Sequence, residues 1–361
     1  MKLSQAYNVQ DWLHKILIEY AEYLGQGNNK FPYIGSPSGD WDSGDKIRSS
    51  KLGNTCPKYN AATALKVIDK PPVPFDRWMK MENGTRWGEI VYEAISWGCS
   101  ENVDIAFSAE QRIKEHWSGL SGTIDATIRH IDRLSGIRTI IPIEIKRTDS
   151  DKFKKDVPGI SWGNWLQTIA EMVLLSEEKD NYGYCEYGFT YCIYSPESNP
   201  THKVWLTRYD KEHEGWHLDK ATLKLDAGKD WATEWETESN YSDKIFLSVE
   251  TFKAIVAEYQ EWMDVMKASP SYATRTDKPY ETMFQSWHCG RTVIPDYYRS
   301  TSKYGNIGDL KDGTGIITPS CPLFAYCYRR ELEKAGYTSP QKVYKIQYDD
   351  ENNLELKPYA R

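Results

Sequence analysis

Several things are scarce or missing in these 361 residues, and each absence removes a class of protein. No apolar run approaches the ~20 residues of a membrane-spanning helix; the longer runs are pieces such as LFAYCY. No secretory leader is apparent, because Trp12, Leu13, Ile16, Leu17, Tyr20 and Leu24 recur at the spacing of an amphipathic helix where an apolar leader core would lie. No Walker-type phosphate loop occurs, so any helicase motor would be a separate chain. No Cys-x2-4-Cys knuckle, internal repeat or low-complexity tract is present. The net charge is −7, short of the basic surplus usual in proteins that coat nucleic acid. Seven cysteines, an odd number in a chain read as cytoplasmic, argue against a disulfide framework.

What is present is ordinary globular material, with 40% apolar and 27% charged residues, in a chain long enough to bury a substantial core. Fourteen tryptophans and twenty-five tyrosines are unusually many. The chain is read as three segments: 1–80, helical; 81–265, a core; and 266–361, a C-terminal arm.

The informative stretch runs from Gly122 to Glu171. Side chains alternate faces along a strand, so in SGTIDATI Asp125 shares a face with Thr123 and Thr127, while Ile124, Ala126 and Ile128 share the other. In IPIEIKRT, Glu144 and Lys146 point one way and Ile143 and Ile145 the other. Pro142 suggests an edge or strand-start position. If the two strands form a hairpin through RLSG, two carboxylates and an ammonium meet at one polar spot on an apolar sheet. Mg²⁺ is held by one or two carboxylates plus substrate phosphate, which points to phosphodiester chemistry. Lys146 would orient or deprotonate the attacking water. Glu355 and Lys357 repeat the Glu-x-Lys spacing but lack a preceding Gly-x-x-Asp strand.

In WLQTIAEM and the residue after it, Trp165, Ile169, Met172 and Val173 recur at helical spacing, with Gln167 and Glu171 four apart. A Gly-x-x-Asp strand, a hydrophobic-Glu-x-Lys strand and a glutamine-bearing helix, in that order from Gly84 to about Tyr194, resemble the PD-(D/E)xK nuclease superfamily and in particular its RecB-type exonuclease branch. The resemblance implies an α/β, restriction-endonuclease-like core with a mixed central sheet flanked by helices. It implies Mg²⁺ or Mn²⁺ held by Asp125, Glu144 and the Ile145 carbonyl, with Lys146 at the water and Gln167 toward the substrate backbone or the lysine. Tyr92 stands where many relatives carry a histidine ligand, and the role passes to Glu93, with Glu89 one turn earlier as the alternative. The family's aromatic four residues after the glutamine is Glu171 here, and no role is carried to it.

Cys56, then Cys289, Cys321 and Cys327, are similar to the four-cysteine set of the iron–sulfur subfamily, which includes AddB-type and CRISPR-associated exonucleases. That likeness implies a 4Fe-4S cluster joining the N- and C-terminal segments, with zinc as the runner-up for the same thiolates. DNA is the implied partner, together with a separate helicase or recombination protein, and the DNA would be tracked by Lys146, Arg147, Lys152, Lys154 and Lys155, with Trp162 and Trp165 as base-stacking candidates. The expected activity is hydrolysis of DNA, at ends or on single strands. A catalytically inactive DNA-binding module and a cluster-stabilised structural protein are the alternatives. Further on, EYGFTYCIYSP and THKVWLTRYD read as strands and Phe252 to Met263 as a helix, while 269–320 reads as an irregular arm.

Overall fold

The structure is a computed structural model that describes residues 3–35, 46–52, 56–67, 75–100, 105–131, 138–148, 162–177, 185–194, 201–219, 245–269, 292–295, 314–318, 329–337, 344–348 and 354–357. Cys289, Cys321, Cys327, Lys152, Lys154 and Lys155 lie outside these residues. The chain divides into two compact units, Met1–Asn54 with Val73–Ala257, and Thr55–Pro72 with Glu258–Arg361.

The first unit is built on a mixed sheet of eight strands in the order β1-β3-β4-β5-β6-β7-β8, with β2 pairing β3 off that path. The strands are β1 (Ile47–Arg48), β2 (Ile105–Ile113), β3 (Leu120–Ile131), β4 (Arg138–Thr148), β5 (Tyr187–Tyr194), β6 (Thr201–Asp210), β7 (Gly215–Leu218) and β8 (Ile245–Ser248). As the pattern predicts, β3 and β4 are antiparallel, with Ala126 opposite Ile143 and Ile128 opposite Ile141. A parallel step then joins β4 to β5, placing Glu144 beside Thr190. An α/β architecture with a mixed sheet is thereby established.

Alternation along the strands sorts residues into two layers. On one side Ala126, Ile128, Ile141, Ile143, Phe189, Tyr191, Val204 and Leu206 are fully buried against helices α1 (Leu3–Gly25) and α3 (Phe75–Ser100), which contribute Ala6, Leu13, Val91 and Ile95. The alternating residues Thr190 and Thr207 meet the helix of Trp162–Leu174, here α4, where Thr168 and Thr190 share a 2.6 Å hydroxyl hydrogen bond and Trp165 Nε1 donates to Thr207 Oγ1 at 3.1 Å. Trp165 is thus a core residue, which removes it as a base-stacking surface. Burying such a side chain stabilises by about 1.5–3 kcal/mol, which is why the indole sits inside.

Gly122 of the Gly-x-x-Asp segment is required by packing. A Cβ there would lie 2.5 Å from Ser49 Oγ and 2.7 Å from Leu174 Cδ1, both on buried residues. Gly122→Val should therefore destabilise the protein by about 1–3 kcal/mol, as overpacked cores do; an unchanged urea midpoint would contradict this close approach of β3 to α4.

Two expectations are corrected. Pro142 sits inside β4, a central strand, because β4 pairs with β3 across Pro142 while its ladder to β5 begins only at Ile143, so the missing N–H costs no bond. The arm is not wholly irregular: β9 (Thr292–Pro295) and β10 (Thr314–Thr318) join β11 (Tyr344–Tyr348) and β12 (Leu354–Lys357) in an antiparallel sheet of the second unit. There Glu355 and Lys357 of β12 face Gln347 and Lys345, so no acidic partner strand accompanies this second Glu-x-Lys.

The second unit also holds α2 (Pro57–Ala64), whose N-cap is the buried Cys56, and α6 (Arg329–Lys334). Helix α5 (Val249–Ala268) covers the residues expected from Phe252 to Met263. Lys58 lies over the Trp262 ring, 5.8 Å from its centroid. No helix among the described residues is long and apolar enough to cross a membrane.

Candidate active site

The β3–β4 ladder ends with Ala126 opposite Ile143, so Asp125 and Glu144 are the next residues of the two strands beyond it. Asp125 Oδ2 accepts a 2.9 Å hydrogen bond from Ile145 N, tying the two strands together at the site. Glu144 is fully buried and in contact with the ammonium of Lys146, which is itself about one-third exposed. Glu144 Oε2 has no hydrogen-bond partner among the described residues. A buried carboxylate oxygen without a donor is costly, about 1–3 kcal/mol or more, and calls for a partner.

The helix facing this spot supplies a residue to which sequence reasoning gave no role. Glu171 on α4 is fully buried, takes a 3.2 Å hydrogen bond from Gln167 Nε2, and among the described residues leaves its Oε2 without a partner. Burial pushes its carboxyl well above the ordinary range, the Asp125 charge pushes it further, and Lys146 and Gln167 pull it back. Burial likewise raises Asp125, against the opposing pull of Lys146 and the Ile145 N–H. Gln167 therefore serves the carboxylate one turn along its own helix. The signal for Glu171 was the spacing: an acid at i+4 from the glutamine falls on the same helix face.

A cavity of about 270 Å³ opens beside these groups, lined by Gly84, Gly88, Glu89 and Tyr92 of α3, Glu110 of β2, and Asp125, Lys146 and Arg147. Glu110 is a second missed residue. It lies between Ala109 and Gln111, which pair with Ala126 and Ile124, and so stands across from Asp125. Its φ of 50° places a glutamate in the left-handed region, a strain of about 1–3 kcal/mol of the kind that gathers at functional sites. Nothing in the local sequence announces it.

The helix ligand is placed differently from expectation. Glu93 accepts from Tyr20 Oη at 3.1 Å and pairs with Lys30 at 3.4 Å, and it does not line the cavity, whereas Glu89, the alternative, does. The contacts of Tyr20 and Lys30 hold Glu93 away from the cavity. Tyr92 borders the cavity but is mostly core, and burial followed by the Asp125 charge keeps its phenol protonated far above its usual range. Burial also pushes the Cys99 and Cys192 thiols up to about 12, and both side chains are packed in the interior.

Among the described residues, the group of three ligand side chains with all atoms within 4.8 Å of one another is Asp210, His213 and His217, and the carboxylates of Asp125, Glu144 and Glu171 do not gather so tightly. Like charges repel in a poorly polarisable interior, and the Lys146 ammonium and Ile145 N–H each hold one carboxylate in place. No known family model matches this chain, and no curated protein matches it.

Proposed function

We infer that this protein is a metal-dependent deoxyribonuclease of the PD-(D/E)xK type. The observation that carries the reading is the buried Glu144–Lys146 pair beside Asp125, with Glu144 Oε2 and Glu171 Oε2 lacking donors among the described residues. An oxygen-only donor set suits a hard ion such as Mg²⁺ or Mn²⁺. Asp125, Glu144, the Ile145 carbonyl and Glu171 would hold it, with Glu89 or Glu110 reaching from across the cavity. When bound, the ion would supply Lewis acidity toward a phosphate oxygen and the attacking water.

The chain's own residues supply the rest. Lys146, at the boundary between the buried pair and the cavity, would orient the water, take or return a proton at Nζ, and offset charge that builds on the phosphate. Arg147 adds a second cation on the cavity wall for the backbone of the substrate. Upstream on α3, Phe75 and Trp78 are exposed and stacked on each other with centroids 6.1 Å apart, a surface on which unpaired bases can stack. Single-stranded DNA or frayed ends are thereby favoured as substrate.

The 4Fe-4S cluster on Cys56, Cys289, Cys321 and Cys327 belongs to the same proposal, with zinc as runner-up. It is supported by Cys56 falling in the unit that also takes in Glu258–Arg361. A DNA-binding module without catalysis is the second reading, favoured by Tyr92 in the histidine position and by Glu93 turning away from the cavity. Labelled single-stranded DNA incubated with the protein separates the two: cleavage that requires Mg²⁺ or Mn²⁺ supports the nuclease, and binding without cleavage supports the module.

A further inference from the structure

We propose that the β6–β7 hairpin carries a second metal site, for Zn²⁺ or a similar borderline cation, made by Asp210, His213 and His217. The site is separate from the acidic cluster and does not rest on the nuclease reading.

Its construction follows from register and turn. Arg208 of β6 faces His217 of β7, and Asp210, two residues along, leaves the sheet on the same side. The turn between the strands then folds His213 back over Asp210. As a result His213 Nδ1 lies 3.0 Å and His217 Nε2 3.1 Å from the same atom, Asp210 Oδ2. The ligand atoms of all three residues lie within 4.8 Å of one another.

The plain alternative is that Asp210 only caps the turn. That task is already done by its other oxygen: Oδ1 accepts from Glu212 N at 3.0 Å and from His213 N at 3.3 Å. Convergence of two imidazoles on Oδ2 is beyond what the turn needs. Two imidazole nitrogens and one carboxylate oxygen form a borderline set that selects zinc over magnesium. Ligands 2.0–2.2 Å from a tetrahedral ion sit about 3.3–3.5 Å apart, so each observed contact need open by only a few tenths of an ångström.

Burial is graded in a way that fits. The His217 side chain is 5% exposed, Asp210 16% and His213 44%, so one ligand is anchored in the sheet and one can swing in from the turn. The exposed side leaves a fourth position for water or a further ligand. Arg208 opposes the cation, but weakly, its guanidinium being 3.9 Å from Asp210 Oδ2 and partly exposed.

The test compares the full-length wild type with His213→Gln, an exposed substitution that spares the fold, by calorimetric titration with ZnCl₂ and by thermal melts with and without zinc. The expected result is one zinc equivalent fewer in His213→Gln, or at least a tenfold weaker affinity at that equivalent, together with loss of the zinc-induced rise in Tm. Cleavage of DNA should be the same in both proteins, so failure here leaves the nuclease reading intact and the converse also holds. Equal stoichiometry and affinity in the two proteins overturn the proposal, as does a wild type that takes up no zinc at 100 µM, a level roughly a hundred times the micromolar affinity expected of even a modest three-ligand site. If His213→Gln melts well below wild type without zinc, Asp210→Asn, which keeps the Oδ1 cap, replaces it in the same comparison.

Discussion

Asp125→Asn should lower the rate of divalent-metal-dependent DNA cleavage by about a hundredfold or more, and Lys146→Ala by at least as much, the range found when an electrostatic or acid–base group is removed. The two variants should differ in stability, and that difference identifies the cause. The amide introduced by Asp125→Asn keeps an oxygen for the Ile145 N–H while removing a partly buried charge whose carboxyl is already shifted toward the neutral form, so the fold should be about as stable as wild type. Removing Lys146 strands the fully buried Glu144 without its counter-charge, at a cost of about 3–5 kcal/mol. Pairing Lys146→Ala with Glu144→Gln should restore most of that stability and none of the activity. Full activity in Asp125→Asn, or a loss that tracks unfolding in both variants, would contradict the assigned roles.

Glu171→Gln should make the metal-free protein more stable at neutral pH, by about 1–3 kcal/mol, because it relieves a buried carboxylate of which one oxygen has no donor among the described residues. The pH dependence follows from the sign of the shift. Burial, then the Asp125 charge, raises the folded carboxyl above its ordinary value of 4.5. A group raised in this way contributes stability that is complete below the unfolded value and is lost as pH rises through the folded one. The wild type should therefore fall behind Glu171→Gln as pH climbs from about 4.5 toward and past neutrality, with the two curves meeting in acid. Urea melts at a series of pH values, in the presence of a chelator, check this; parallel curves would contradict it. The same variant should need about ten times more Mg²⁺ for half-maximal cleavage, the size of effect seen when a group supporting a metal site is changed. Stability gained and function lost at one residue is the pattern of a site held under charge repulsion.

The parts of this site that could be read in the sequence are those governed by local periodicity. Asp125, Glu144 and Lys146 follow from the two-residue repeat, and the apolar residues between them supply the core that the structure displays. The face of α4 follows from helical spacing. What could not be read depends on tertiary placement. Glu93 and Glu89 lie on adjacent parts of α3, and only the positions of Tyr20 and Lys30 decide which one turns toward the cavity. Glu110 reaches the cavity through a left-handed residue in a strand whose register with β3 no local pattern fixes. Glu171 was passed over because an acid replaced an expected aromatic, although burial opposite Asp125 makes that replacement the informative one. The hairpin triad was signalled only by two histidines and an aspartate within eight residues of a turn, and it emerges once the strand register is known.

The central claim is that Asp125 and Glu144 share a divalent ion with help from Glu171. Its most direct test is electron paramagnetic resonance of free Mn²⁺ titrated with the His213→Gln protein, which removes the hairpin triad from the count. The account predicts that at least one Mn²⁺ per chain disappears from the free signal, and that adding Asp125→Asn abolishes this uptake. Equal uptake with and without Asp125→Asn would mean that these carboxylates do not hold the ion.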